Sequence, residues 1–186
     1  MIFTETKLKG VFLIEPERHE DDRGFFARSW SRSEFEAQGL DSRIIESNIS
    51  FNKKRGTVRG MHYQAAPYGQ AKLVRCTAGA IFDCVIDLRP SSATFRQWLG
   101  VELTARNRLM VHVPVGFAHG FQTLEDETEV FYEMSHAYVP GSSVGVRWDD
   151  PVFGIQWPLE VSVINDRDRH YPDYSVRTNA SSFLTS

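Results

Sequence analysis

No stretch of this chain approaches the roughly 20 consecutive apolar residues that a membrane-spanning helix needs. The 186 residues include only two cysteines, Cys76 and Cys84, too few for a disulfide framework or a thiolate metal centre. Both sit in apolar stretches, so two buried thiols are expected. Charge of one sign is also lacking: 21 Lys and Arg stand against 24 Asp and Glu, a formal net charge of -3 at pH 7. Without a basic field, neither nucleic acid nor an acidic membrane surface is an expected partner, which leaves a small molecule. The opening residues Met1 to Thr6 have neither the basic nor the apolar block of a secretory signal, and a cytoplasmic protein is expected. Internal repeats and low-complexity segments are missing too.

What is present is a series of short β-rich runs, separated by Gly, Pro and Asn, from Val11 to Trp157. Lys72-Leu73-Val74-Arg75-Cys76, Ile81-Phe82-Asp83-Cys84-Val85-Ile86, Leu109-Met110-Val111-His112-Val113 and Thr128-Glu129-Val130-Phe131-Tyr132 are examples. Short strands at regular spacing predict a mainly β sandwich or barrel rather than alternating βαβ units. The length suits one domain over residues 1–186, with a core over about 2–172. One short peripheral helix is expected from Ser31 to Gly39, capped by Ser31 or Ser33, acidic in its first turn and stopped by Gly39. Residues 175–186 are polar and read as a loosely held tail.

Three side chains on these strands have complementary chemistry. Removing a proton beside a ketone takes a base, a fixed cation for the enolate oxygen and an acid to return a proton; His62, Lys72 and Tyr132 can fill these roles. Strand alternation puts Lys72 on one face with Val74 and Cys76, a cation in a mostly apolar interior, and Tyr132 on one face with Val130 and Met134. Arg59 and His62 are an odd number of residues apart and would point to opposite faces of a regular strand. They share a pocket only if the strand bulges, and Gly60 is the natural place for it.

The run Pro114-Val115-Gly116-Phe117-Ala118-His119-Gly120-Phe121 resembles the second motif of the cupin superfamily, which implies a small jelly-roll barrel. Metal-binding cupins carry His-x-His and a Glu where this chain has His62-Tyr63-Gln64, so the ligand set is incomplete and no catalytic metal is expected. For His119, a buried imidazole fixing a turn and a place in the cavity both stand open.

A fuller resemblance covers residues 2–172 and is to the dTDP-4-dehydrorhamnose 3,5-epimerase family. It is carried, in family order, by Asp22-Arg23-Gly24-Phe25-Phe26; Asn48 ahead of Arg55 to Gln64; Gln70-Ala71-Lys72-Leu73-Val74-Arg75; Phe82 to Arg89; Gly116 to Phe121; and Arg147-Trp148-Asp149-Asp150-Pro151 with Gly154-Ile155-Gln156-Trp157-Pro158. The resemblance implies an enzyme that inverts C3 and C5 of a nucleotide-linked 4-keto-6-deoxyhexose, without cofactor or metal, as a homodimer of jelly rolls with exchanged edge strands. Position by position it makes His62 the general base, Asp168 its carboxylate partner, Lys72 the cation beside the C4 oxygen and Tyr132 the acid on the opposite face. Arg23 and Arg59 match the arginines on the diphosphate, and Tyr138 and Asn48 match contacts to the nucleoside. Gln64, His119 and Arg167 complete the expected substrate contacts.

Three positions depart from the family pattern: Arg28 and Ser143 stand where Glu is usual, and Glu46 where Gln is usual. All three count among the expected substrate contacts, and Arg28 and Glu46 offer an ion pair to each other. The departures imply retained chemistry with a shifted nucleotide or sugar, for instance cytosine in place of thymine. Epimerisation at C3 or C5 alone, a 3,4-ketoisomerase on a similar barrel and a non-enzymatic sugar-binding cupin are the competing readings.

Overall fold

The computed structural model of the chain describes residues 1–174, and the expected tail at 175–186 lies outside them. In chain order the elements are β1 (Ile2–Glu5), β2 (Phe12–Glu15), β3 (Arg18–Asp21), β4 (Gly24–Ala27), α1 (Arg32–Ala37), β5 (Glu46–Asn52), β6 (Val58–Gln64), β7 (Lys72–Ala78), β8 (Ala80–Asp87), β9 (Trp98–Thr104), β10 (Met110–Val113), β11 (Phe117–Thr123), β12 (Thr128–Met134), β13 (Ser143–Gly145) and α2 (Asp166–Arg169). They form a jelly roll of two antiparallel sheets. One has the order β1-β2-β10-β7-β12-β5 and the other β13-β6-β11-β8-β9, while β3 and β4 pair only with each other.

The interior follows from strand alternation. Val74 and Cys76 on β7, Ile81 and Val85 on β8, Val111 and Val113 on β10, Phe117 and Phe121 on β11 and Val130 on β12 are buried together between the sheets. Each buried side chain of this size contributes on the order of 1.5–3 kcal/mol by leaving water. The same inward faces continue into polar residues: Lys72 precedes Val74 on β7, and Tyr132 follows Val130 on β12. The barrel is therefore packed with apolar side chains over part of its length and opens into a polar cavity over the rest.

The outer faces are covered unequally. Met61 and Tyr63, which alternate with His62, and Cys84 and Ile86, which alternate with Asp83, pack under Val146, Phe153, Ile155, Trp157 and Tyr174. On the other sheet, Phe35 of α1 packs on Ile14, Leu73 and Met110, but β5 at the sheet edge leaves Ile49 and Phe51 64% and 49% exposed. On β5 the polar Glu46, Asn48 and Ser50 are the less exposed set, the reverse of an ordinary surface strand.

Helix α1 is shorter than expected, and Ser31, its N-cap, makes no side-chain bond to the helix backbone; its hydroxyl meets that of Ser33 instead. Gly39, just beyond the Gln38 C-cap, has the positive φ of 70° that ends a helix. Helix α2 was not expected. Its signal is Asn165, whose side chain accepts from the Asp168 backbone N–H at 2.7 Å. Both thiols are free and buried as expected; burial pushes Cys76 up to about 11 and raises Cys84 well above the usual thiol range.

Candidate active site

The bulge expected at Gly60 positions the first part of the site. Across the β6–β11 pair, His62 lies opposite His119 and Arg59 opposite Phe121, so three steps on β6 match two on β11. Gly60 has a φ of 117°, and a Cβ there would lie 2.6 Å from Gly120 Cα and 2.8 Å from the His119 carbonyl oxygen. Only glycine fits a positive φ with backbone this close. The extra residue turns Arg59 and His62 to the same cavity, and the freed Gly60 N–H donates to Asp168 Oδ2 at 3.0 Å.

That carboxylate also meets His62. Asp168 Oδ1 lies 2.6 Å from His62 Nε2, and Asp168 has no exposed surface. Burial alone would raise its pKa, but the His62 hydrogen bond, the charge that His62 can carry, the Gly60 N–H and the Arg167 charge together hold it below the ordinary range. A carboxylate can only accept, so Nε2 carries the hydrogen and Nδ1 keeps the lone pair needed to take a proton. The expected dyad is formed, with one helix turn and one bulge supplying its halves.

Lys72 and Tyr132 come from the facing sheet, and both line the same cavity as His62. The Lys72 ammonium lies 3.5 Å from the His62 carbonyl oxygen. Burial pulls its pKa from 10.5 to about 8, with the Asp83 charge partly opposing. Tyr132 is driven upward, first by burial and also by the Glu46 charge, with Arg59 pulling the other way; its phenol therefore holds its proton at neutral pH. Asp83 was given no role from the sequence. It accepts from His119 Nε2 at 2.7 Å, both residues are buried, and His119 lines the cavity. The sequence signal was a carboxylate in the middle of the apolar run Ile81 to Ile86.

The cavity measures about 540 Å³, the size of a drug-sized or nucleotide-sized ligand site. Besides the residues named, Glu46, Asn48, Gln70, Tyr138 and Ser143 line it. Arg59 Nε donates to Asn52 Oδ1 at 2.7 Å, a half-buried brace from a buried amide that the sequence did not announce.

Four expected contacts stand elsewhere. Gln64 is buried behind the wall, where its amide ties two loops together: Nε2 donates to the Tyr68 and Ala137 carbonyls, and Oε1 accepts from Val139 N–H and Ser142 Oγ. Gln64 shares its direction with His62 but lies at the strand's end, covered by those loops. Arg23, its side chain 90% exposed, pairs with Asp21 at the tip of the β3–β4 hairpin. Arg28 pairs with Glu34, not with Glu46; Glu46 instead accepts the Tyr138 backbone N–H at 3.2 Å. Arg167 donates to the Ser143 carbonyl at 2.6 Å and its hydroxyl at 3.0 Å, so these two brace each other.

Imidazole–carboxylate, ammonium and phenol, drawn from opposing sheets, equip a barrel to lift a proton beside a carbonyl and return it, which is isomerase chemistry. The family profile of dTDP-4-dehydrorhamnose 3,5-epimerase matches residues 5–175. The chain is 42% identical over 172 residues to the dTDP-4-dehydrorhamnose 3,5-epimerase of Methanothermobacter thermautotrophicus, covering 91% of this chain and 92% of that one. It is 39% identical to a dTDP-4-dehydrorhamnose 3-epimerase of Streptomyces niveus, covering 87% and 78%. The crystal structure of dTDP-4-dehydrorhamnose 3,5-epimerase from Bacillus anthracis with TDP and PPi bound superposes with a TM-score of 0.89 at 39% identity, covering 93% of this chain and 99% of that one. The chain belongs to the dTDP-4-dehydrorhamnose 3,5-epimerase family.

Proposed function

We propose that this protein epimerises a dTDP-linked 4-keto-6-deoxyhexose at C3 and C5, with His62 as base, Asp168 as its orienting partner, Lys72 holding the enolate oxygen and Tyr132 returning a proton. The placement of His62 and Tyr132 on facing sheets carries the reading. Inversion requires that a proton leave from one side of the ring and arrive from the other, and two sheets that sandwich the substrate supply both sides. Arg59, steadied by Asn52, takes the diphosphate through its guanidinium.

Incubation with dTDP-4-keto-6-deoxyglucose in heavy water tests this: two deuterons per product molecule, one at C3 and one at C5, are expected by mass and NMR. No incorporation at either carbon would end the epimerase reading. Incorporation at C3 alone would favour the second reading, single epimerisation, which the similarity to the Streptomyces niveus 3-epimerase motivates. The same incubation with the CDP-linked sugar measures the nucleotide preference. Arg28 and Ser143 are engaged with Glu34 and Arg167, so of the three departures Glu46 is the charge that lines the cavity.

The working unit we propose is a homodimer with exchanged edge strands. The β3–β4 hairpin pairs with neither large sheet, and Phe26 at its surface is 71% exposed. Edge strand β5 presents Ile49 and Phe51 outward, and Ile45 just before it is 56% exposed. A hairpin added along β5 would cover these side chains and carry the partner's equivalent of Arg23 toward the diphosphate. Sedimentation velocity at micromolar protein should give twice the chain mass of 21.3 kDa; a monomer with full activity would refute the exchange. Among the described residues no helix is long and apolar enough to cross a membrane. The two free thiols suit the reducing cytoplasm, an assignment that cell fractionation checks.

A further inference from the structure

Tyr171 belongs to no motif singled out in the sequence, yet it packs against the base. Its ring centroid is 6.2 Å from that of His62, with the planes at 69°. Room for it is made by Gly145, which lies opposite His62 across the β13–β6 pair. A Cβ at Gly145 would fall 2.5 Å from two atoms of the Tyr171 ring and 2.5 Å from the Met61 carbonyl oxygen. On another side the Arg167 guanidinium stands 5.7 Å from the Tyr171 ring centroid.

The hydroxyl makes no close hydrogen bond in this arrangement. It is buried and has no hydrogen-bond partner among the described residues. Arg167 acts on the phenol as a charge and as a weak hydrogen-bond donor, but no bond of normal geometry joins them, and its close hydrogen bonds go to Ser143. A buried hydroxyl without a partner costs free energy, so it is the aromatic face that fits the site.

The segment holding this ring is itself tied down. Asp173 pairs with Arg147, the Tyr174 N–H donates to Asp150 Oδ2 at 2.7 Å, and the Tyr174 ring packs on Phe153 at 5.1 Å. A strap running from α2 to Tyr174 therefore presses one aromatic ring onto the catalytic imidazole from the side that Gly145 leaves open.

We infer that Tyr171 is a positioning residue for the base: its ring keeps the His62 imidazole turned toward Asp168, with Nδ1 presented to the cavity. This rests on the reading of His62 as the base. A histidine that can swing off its carboxylate loses both its fixed tautomer and its alignment with the substrate proton, and misplacement by about 1 Å can cost on the order of 100-fold in rate.

The test compares Tyr171→Phe, Tyr171→Leu and Tyr171→Ala. The Phe variant should keep kcat within about twofold, because only an unpartnered hydroxyl is lost. The Ala variant should lose about 10- to 100-fold in kcat with KM little changed. The Leu variant keeps bulk in the strap should Ala unfold it, and should lose about 10-fold for want of a flat ring. Nitrogen-15 NMR of the His62 ring should show one Nε2-protonated tautomer in the parent and the Phe variant, and exchange between forms in Ala or Leu.

Full kcat with a single tautomer in the Ala or Leu variant would overturn the inference. So would a Phe variant as impaired as Ala, which would make the hydroxyl a catalytic group, or a loss confined to KM, which would make the ring a ligand contact. The NMR measurement needs no substrate. If the parent protein failed to incorporate deuterium, the epimerase reading would fall while the role of Tyr171 was still decided.

Discussion

His62→Asn should stop solvent exchange at the sugar carbons, lowering kcat by at least about 10³-fold, within the usual range for a lost general base. Asparagine offers Asp168 an N–H donor and so preserves much of the local bonding, but it has no lone pair able to accept a proton. Binding of dTDP, read by calorimetry, should stay within about threefold, because the base acts on the transition state more than on the bound ground state. Asp168→Asn should reproduce most of the loss for another reason: an amide can donate to Nε2 and so favour the tautomer in which Nδ1 is blocked. A His62→Asn protein that still exchanged protons would remove the dyad from the chemistry, and one that no longer bound nucleotide would make His62 a ligand contact.

The parts of the molecule that were legible in the sequence are those governed by alternation. Lys72 above Val74 and Cys76, and Tyr132 between Val130 and Met134, could be placed in the barrel because period two leaves a strand residue only two directions. Gly60 was legible as a bulge because the odd spacing of Arg59 and His62 demanded an irregularity and glycine was its cheapest site. Residues whose roles depend on where a loop returns were not legible. Gln64 shares its direction with His62, yet it is covered by the loops at 65–70 and 137–142 that it ties together, and nothing local announces this. Arg23 and Arg28 lie on or beside a hairpin that pairs with neither large sheet, and alternation along a strand does not tell which sheet that strand will join.

Strand β5 shows how a pattern can carry two messages. Its polar Glu46, Asn48 and Ser50 are the less exposed set and line the cavity, while Ile49 and Phe51 at the rim are the more exposed set, the inverse of what a solvent-facing strand displays. An interior that must hold a charged ligand accepts polar residues, and on the proposed dimer an outer face covered by a second copy accepts apolar ones. The inversion is therefore one sequence signal for both the cavity and the proposed dimer face. Tyr171 gave no such signal, because the space it fills is opened by a glycine 26 positions earlier in the chain.

The Lys72 ammonium should set the alkaline limit of activity near pH 8. Its pKa is pulled from 10.5 to about 8 because burial penalises the charged form, so at pH 7 it is about nine-tenths protonated and able to hold an enolate oxygen. Between pH 8 and 10.5 the folded protein gives up this proton while the unfolded chain keeps it. The strain of burying the charge, about 3 kcal/mol at pH 7, is thereby relieved, and this group's contribution to stability rises with pH across that window. Activity moves the opposite way: kcat/KM, which reports the free enzyme, should fall about tenfold per pH unit above pH 8 while the fold becomes no weaker on this account. Tyr132 cannot produce that limb, since its pKa is raised above 10. Lys72→Met should cut kcat by about 10²- to 10³-fold, the usual consequence of removing a preorganised charge at a developing oxyanion, and should flatten the residual profile between pH 7.5 and 9.5. A limb near pH 8 that survived in Lys72→Met, or a parent profile flat to pH 10, would show that the ammonium is not the group facing the enolate.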